Sequence, residues 1–163
     1  MKNRSLTEKV RLLLRTCLNA ASGLTRQWVL SLPIEIRYRL AYDKKLLSEV
    51  LAVFLRVIGG WYKKTASSLG FQKAQWGSVS FLQRFGSSLA VNPHIHALGL
   101  DGVYGHPIEL PSSLEFLPTP GPTDEEVRRL VETVAFRVIR LLKKRGVLDA
   151  NDAQFEIGIG GRG

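Results

Sequence analysis

The stretch VNPHIHALGLDG, residues 91–102, holds two of the chain's three histidines, one residue apart in an otherwise apolar run. On an extended strand, residues i and i+2 point the same way. His94 and His96 would then project from one face, and Ile95 and Ala97 from the other. Two neutral imidazoles so placed suit one divalent cation, whereas two charged ones would repel, so the pair favours the neutral, ligand-ready form. The spacing alone leaves a plainer alternative open, a pair of hydrogen-bonded strand histidines. Two other kinds of metal site are disfavoured. No His-Glu-x-x-His helix occurs, and one cysteine with three histidines is a poor basis for a four-ligand structural zinc site.

A third ligand is sought nearby. Gln83 stands in WGSVSFLQRF, on a face otherwise made of Val79, Phe81 and Phe85. A lone amide in that company needs a partner, and cross-strand neighbours come within about 5.5 Å between Cβ atoms. Gln83 ranks above His106, which lies past the Asp101-Gly102 turn signal, and Asp101 itself reads as a turn residue. For nucleophilic chemistry, Tyr38 and Tyr42 have i,i+4 spacing that sets two phenols on one helix face. Helix packing is the favoured reading of that pair.

These residues need elements to position them. Ser5-x-x-Glu8 resembles a capping box, and Val10, Leu13, Leu14, Cys17 and Leu18 recur at helical spacing, which predicts a helix over 6–20. Residues 26–32, closed by Pro33, read as a strand. A helical pattern runs from Ile34 to Leu69 with a break near Asp43, its later turns weakened by Gly59-Gly60. WGSVSFLQRF has period two and reads as a strand; GSSLAVNP is turn chemistry; HIHALGLDGVY is a second strand, expected antiparallel to the first. Residues 105–122 are proline-rich and read as a linker. Thr123-x-x-Glu126 then opens an amphipathic helix ending at Lys143, Lys144, Arg145 and Gly146. The tail offers a short strand through Phe155, Ile157 and Ile159, or a frayed end. The expected fold is α+β: a small, mainly antiparallel sheet with helices on one face. Its parts are an N-terminal helical extension (1–25), a core (26–104), the linker (105–122), the packing helix (123–146) and the tail (147–163).

The 163 residues suffice for one domain, and no apolar run approaches the roughly 20 residues that span a bilayer. With no signal peptide and a single cysteine, Cys17, a cytoplasmic location is expected and no membrane role. The net charge of +9 is uneven: residues 1–73 carry 14 Lys and Arg against 4 Asp and Glu, and the remainder 9 against 10. Such a basic half attracts polyanions, nucleic acid first; solvated helix faces are the bland alternative.

Three blocks in order, RQWVLSLPIEIRYRLAYDKKLLSEVLAVFLRV, GSVSFLQRFGSSLAVNPHIHALGLDGVY and GPTDEEVRRLVETVAFRVIRLLKKRG, resemble the rolling-circle insertion-sequence transposases of the two-tyrosine family. These belong to the HUH endonuclease superfamily, named for a His-hydrophobic-His triplet, here His94-Ile95-His96. The likeness runs from about Arg26 to Gly146. It implies single-stranded DNA bound on the small sheet, with Mg²⁺ or Mn²⁺ held by His94, His96 and a third polar side chain, for which Gln83 is the candidate. It also implies a tyrosine that attacks the scissile phosphate to leave a 5′-phosphotyrosine and a free 3′-OH. Arg37, Arg39, Lys44, Lys45 and Arg84 are the cations expected along the DNA.

Two departures from the family pattern stand out. Met1 to Thr25 lacks the cysteine-rich zinc segment usual in the family, and the downstream helical tyrosine is missing, Tyr104 being the only tyrosine after His96. A central fragment of a transposase is therefore expected, catalytically incomplete. The alternatives are a non-catalytic DNA-binding module of the same fold and, more remotely, a basic adaptor with no DNA role. Oligomeric state is left open.

Overall fold

The fold is that of a computed structural model, which describes residues 10–18, 23–85, 91–148 and 155–159. In chain order these form β1 (Val10–Leu18), β2 (Thr25–Ser31), α1 (Ile34–Tyr42), α2 (Lys44–Ser68), β3 (Phe71–Gln75), β4 (Ser78–Phe85), β5 (Val91–Leu100), β6 (Gly102–Pro107), β7 (Glu115–Pro118), α3 (Asp124–Lys144) and β8 (Phe155–Ile159). Five strands make one sheet in the order β4-β5-β2-β1-β8, and β3-β6-β7 make a second. All neighbours are antiparallel except β1 and β8. The α+β class expected from the sequence is the one observed.

Alternation along β2 and β5 decides which side of the large sheet is covered. Trp28 and Leu30 of β2, and Ile95 and Ala97 of β5, are fully buried. They share one core with Ile36 and Leu40 of α1, Phe54 and Ile58 of α2, and Val131 and Val134 of α3. The helices thus lie on one face of the sheet, and α1 packs through Ile36 and Leu40 on that face. Asp43 separates α1 from α2 by accepting from the Leu46 amide at 2.9 Å, which fixes the break foreseen there. Thr123 and Glu126 close the predicted capping box at the head of α3.

Several expectations are corrected. Residues 10–18 form a strand, where helical spacing predicted a helix over 6–20; the Ser5–Glu8 pair lies outside the described residues. A leucine-rich run of nine residues satisfies both periods, and pairing on both sides settled it: β1 lies antiparallel to β2 and parallel to β8. The tail is accordingly a strand over Phe155–Ile159. β5 begins at Val91, so Val91 to Pro93, assigned to a turn, belong to the strand. Pro93 is tolerated because β2 pairs only as far as His94, and the β4–β5 register is irregular between Gln83 and Phe85. Asp101-Gly102 is no hairpin turn: the chain passes there from the five-stranded sheet to the three-stranded one. The sequence reading missed β3 outright, and missed β7 inside the proline-rich 105–122.

Two interlocks tie the sheets to α2. Asp101 accepts from Arg26 Nε at 2.8 Å, from Arg26 Nη2 at 2.9 Å and from the Tyr62 hydroxyl at 2.9 Å. Trp76, between β3 and β4, stacks on Tyr62 with ring centres 5.3 Å apart and donates to the Leu100 carbonyl at 2.9 Å. Its indole occupies space that a side chain at Gly99 would need.

Candidate metal centre

The site grows from the uncovered face of the sheet. Ile95 and Ala97 face the core, so alternation turns His94 and His96 outward, and both are half-buried. Their ring centres stand 4.8 Å apart with planes tilted by 59°. Pairing supplies the neighbours: Gln83 of β4 is directly opposite His94, and Phe81 is opposite His96. On the other side, β2 places Ser31 opposite His94 and Val29 opposite His96. Residues directly opposite share a face, so the two histidines, Gln83, Phe81 and Val29 lie on one surface. Val79 and Phe81 are largely exposed there, at 60% and 59%.

Gln27, two residues along β2 from Val29 and so on the same face, completes the group. Its side-chain amide meets His96 Nδ1 at 2.9 Å. The His96 Nε2 atom is buried and has no hydrogen-bond partner. Burial, reinforced by the neighbouring His94, holds the His96 ring below the ordinary imidazole value, so it remains neutral where free histidine begins to charge. Such a ring can ligate a metal through Nε2 once the Gln27 amide, whose nitrogen faces Nδ1 here, presents its oxygen to an Nδ1 proton instead. Gln83 offers an amide oxygen of the kind Mg²⁺ and Mn²⁺ accept. Among the described residues no three His, Cys, Asp or Glu side chains gather into a metal site, so a site here would rest on the two imidazoles and amide oxygens.

The other sequence candidates are placed elsewhere. His106 pairs with Gln72 in the second sheet. Asp101 is committed to Arg26 and Tyr62. Tyr104, on β6, is half-exposed with its ring 5.2 Å from that of Phe116. Tyr38 and Tyr42 do share a helix face, but that face points to solvent, at 65% and 80% exposure, which corrects the packing role assigned to them. Arg37 donates to the Leu32 carbonyl at 2.8 Å. Arg39, Lys44 and Lys45 are exposed around the α1–α2 junction, and the Arg84 side chain lies outside the described residues.

Gln27 escaped the sequence reading. Its polarity on the face opposite Trp28 and Leu30 was visible, but nothing local shows that β2 lies beside β5 rather than at an edge.

Residues 77–157 match the family model described as "Putative transposase". The match covers β4, the histidine strand β5, β6, β7, α3 and the start of β8. No curated protein and no solved structure matches the chain.

Proposed function

From the place of residues 77–157 in a transposase family, we propose that the outer sheet face is a metal-dependent, single-stranded DNA nicking and strand-transfer site of the HUH kind. One observation carries this: His96 is anchored at Nδ1 by Gln27 while its buried Nε2 has no partner, beside a second imidazole. His94, His96 and Gln83 would hold Mg²⁺ or Mn²⁺. When bound, such an ion neutralises phosphate charge and polarises the scissile ester.

The chain's own residues do the rest. Gln27 fixes the His96 ring through its amide nitrogen, which faces Nδ1; for Nε2 to hold a metal, that amide would turn so that its oxygen accepts the Nδ1 proton and Nε2 keeps its lone pair. Phe81, exposed opposite His96, offers a flat apolar ring on which an unpaired base can stack. Arg39, Lys44 and Lys45 offer charge to the backbone phosphates. The working location is the cytoplasm, where the DNA substrate lies.

A second reading is favoured by the tyrosines. Of the chain's four, Tyr62 is buried on Asp101, Tyr104 is on the other sheet, and Tyr38 and Tyr42 ride the outer side of a helix packed behind the sheet. None is placed on the histidine face, so the chain by itself serves as a DNA-binding module that lacks the attacking phenol. Calorimetric titration with Mn²⁺ tests the site. Wild type should bind, and a His94→Ala/His96→Ala double variant should not; equal heats would remove the metal centre. Metal-dependent cleavage of single-stranded oligonucleotides then separates nicking from binding alone.

A further inference from the structure

The seam between α2 and α3 forms a groove of about 560 Å³ that the histidine site does not use. Arg56 and Lys64 line it from α2, and Arg129 and Arg137 from α3. A second hollow of similar size continues it past Arg137 to Arg140 and Lys144. All six cations are exposed. Among the described residues, one acid, Glu126, lines either hollow, and it is spent on the helix cap: it accepts from the Thr123 amide at 2.8 Å and from Trp61 Nε1 at 3.2 Å. Arg129 reaches Glu125 at 3.1 Å in an exposed pair, which water screens. Lys64, Arg137, Arg140 and Lys144 have no ion-pair partner among the described residues.

Gly60 is a second, independent feature. It lies inside α2 between Arg56 and Lys64, on the groove wall. A glycine inside a helix is destabilising. At Gly59 packing accounts for it, because a side chain would press on Trp76 at 3.0 Å; at Gly60 nothing stands within 4 Å. The bare backbone therefore keeps the groove open rather than relieving a clash.

We propose that this groove binds the phosphate backbone of duplex DNA, as a second nucleic-acid surface on the helical side of the molecule. From Arg129 to Lys144 the helix rises about 22 Å at 1.5 Å per residue, the length of roughly six base pairs. The groove presents charge without a free aromatic ring: Trp61 is half-buried, packed edge-on against Trp28 and Tyr62, and its N–H is used. A surface with cations and no stacking platform takes hold of a backbone and does not read unpaired bases. A trough between two helices also suits a rod better than the plane of a membrane. The inference does not depend on the metal site.

Fluorescence anisotropy with a labelled 20-base-pair duplex, over a salt series, tests it. Wild type should show a steep log–log salt slope, each neutralised phosphate contributing about −0.9. An Arg137→Gln/Arg140→Gln/Lys144→Gln variant should lose at least tenfold in affinity at low salt, with the slope shallower by about two to three. Gly60→Leu keeps every charge and should weaken binding by filling the groove. His94→Ala/His96→Ala should bind duplex as wild type does, which separates this surface from the metal centre. Undiminished duplex binding by the triple variant and by Gly60→Leu, with circular dichroism showing both folded, would overturn the proposal. So would groove-dependent binding to phosphatidylserine vesicles in preference to duplex.

Discussion

Gln27 and His96, on neighbouring strands, meet at 2.9 Å between the amide and Nδ1, and this contact leaves the second ring nitrogen buried without a partner. The contact crosses β2 and β5 diagonally, since Gln27 is directly opposite Leu98. If it orients the ring for a cation, Gln27→Leu should weaken Mn²⁺ binding about 10- to 100-fold while both histidines remain. Unchanged affinity by calorimetry would show that the amide only fills space.

The acid response has a fixed sign. His96 is held below its ordinary value by burial and by His94, so in acid the unfolded chain takes up a proton that the folded ring refuses. Stability should therefore fall as pH drops from neutral through the ordinary imidazole value, levelling off only below the depressed one. His96→Gln should flatten that part of the profile. An NMR titration in which the His96 midpoint lies at or above the free-imidazole value would contradict this.

The Arg26–Asp101–Tyr62 cluster should matter to stability more than any surface pair. Asp101→Asn leaves the Arg26 guanidinium, only 12% exposed, without its counter-charge, and should cost about 3 kcal/mol. Tyr62→Phe removes one hydrogen bond to a carboxylate and should cost about 2 kcal/mol. By contrast, breaking the exposed Arg128–Glu125 pair should change stability by less than about 1 kcal/mol. Urea melts would decide; a loss below about 1 kcal/mol for Asp101→Asn would mean the cluster is wet.

Two glycines should respond in opposite directions. At Gly99 an added methyl overlaps the Trp76 indole, so Gly99→Ala should destabilise by about 2 kcal/mol. At Gly60 the methyl meets open space and gains helix propensity, so Gly60→Ala should stabilise by about 1 kcal/mol. Thermal melts of the two variants should shift to opposite sides of wild type.

No covalent tyrosyl–DNA adduct should form with Mn²⁺ and single-stranded oligonucleotides. An attacking phenol must come within about 3.5 Å of phosphorus, in line with the leaving oxygen. Tyr38 and Tyr42 sit on the solvent side of a helix packed behind the sheet. A denaturant-resistant adduct abolished by Tyr38→Phe or Tyr42→Phe would promote α1 to the active site.

What the sequence disclosed follows from the range of each signal. Period two placed His94 and His96 on one face and Ile95 and Ala97 on the other, because alternation is a property of one strand. The α1–α2 break at Asp43 and the capping box of α3 were legible for the same reason: a cap is satisfied within one turn. Gln27 was not, since its place depends on which strands become neighbours. Nor was Asp101, whose Asp-Gly signature suited a turn while its carboxylate was claimed by Arg26 and Tyr62 from distant elements. β1 failed where two periods fit one leucine-rich run and only its partners could decide.

The parallel pairing of β1 with β8 joins residue 10 to residue 155. Parallel, non-local pairs form late, because the loop between them must close before any contact stabilises it. The histidine strand, by contrast, lies between β4 and β2, all of which are complete by Leu100. On a ribosome adding about 5–20 residues per second, β2, β4 and β5 emerge seconds before Phe155. The histidine face can take shape on the nascent chain, while the far edge of the same sheet waits for Phe155–Ile159.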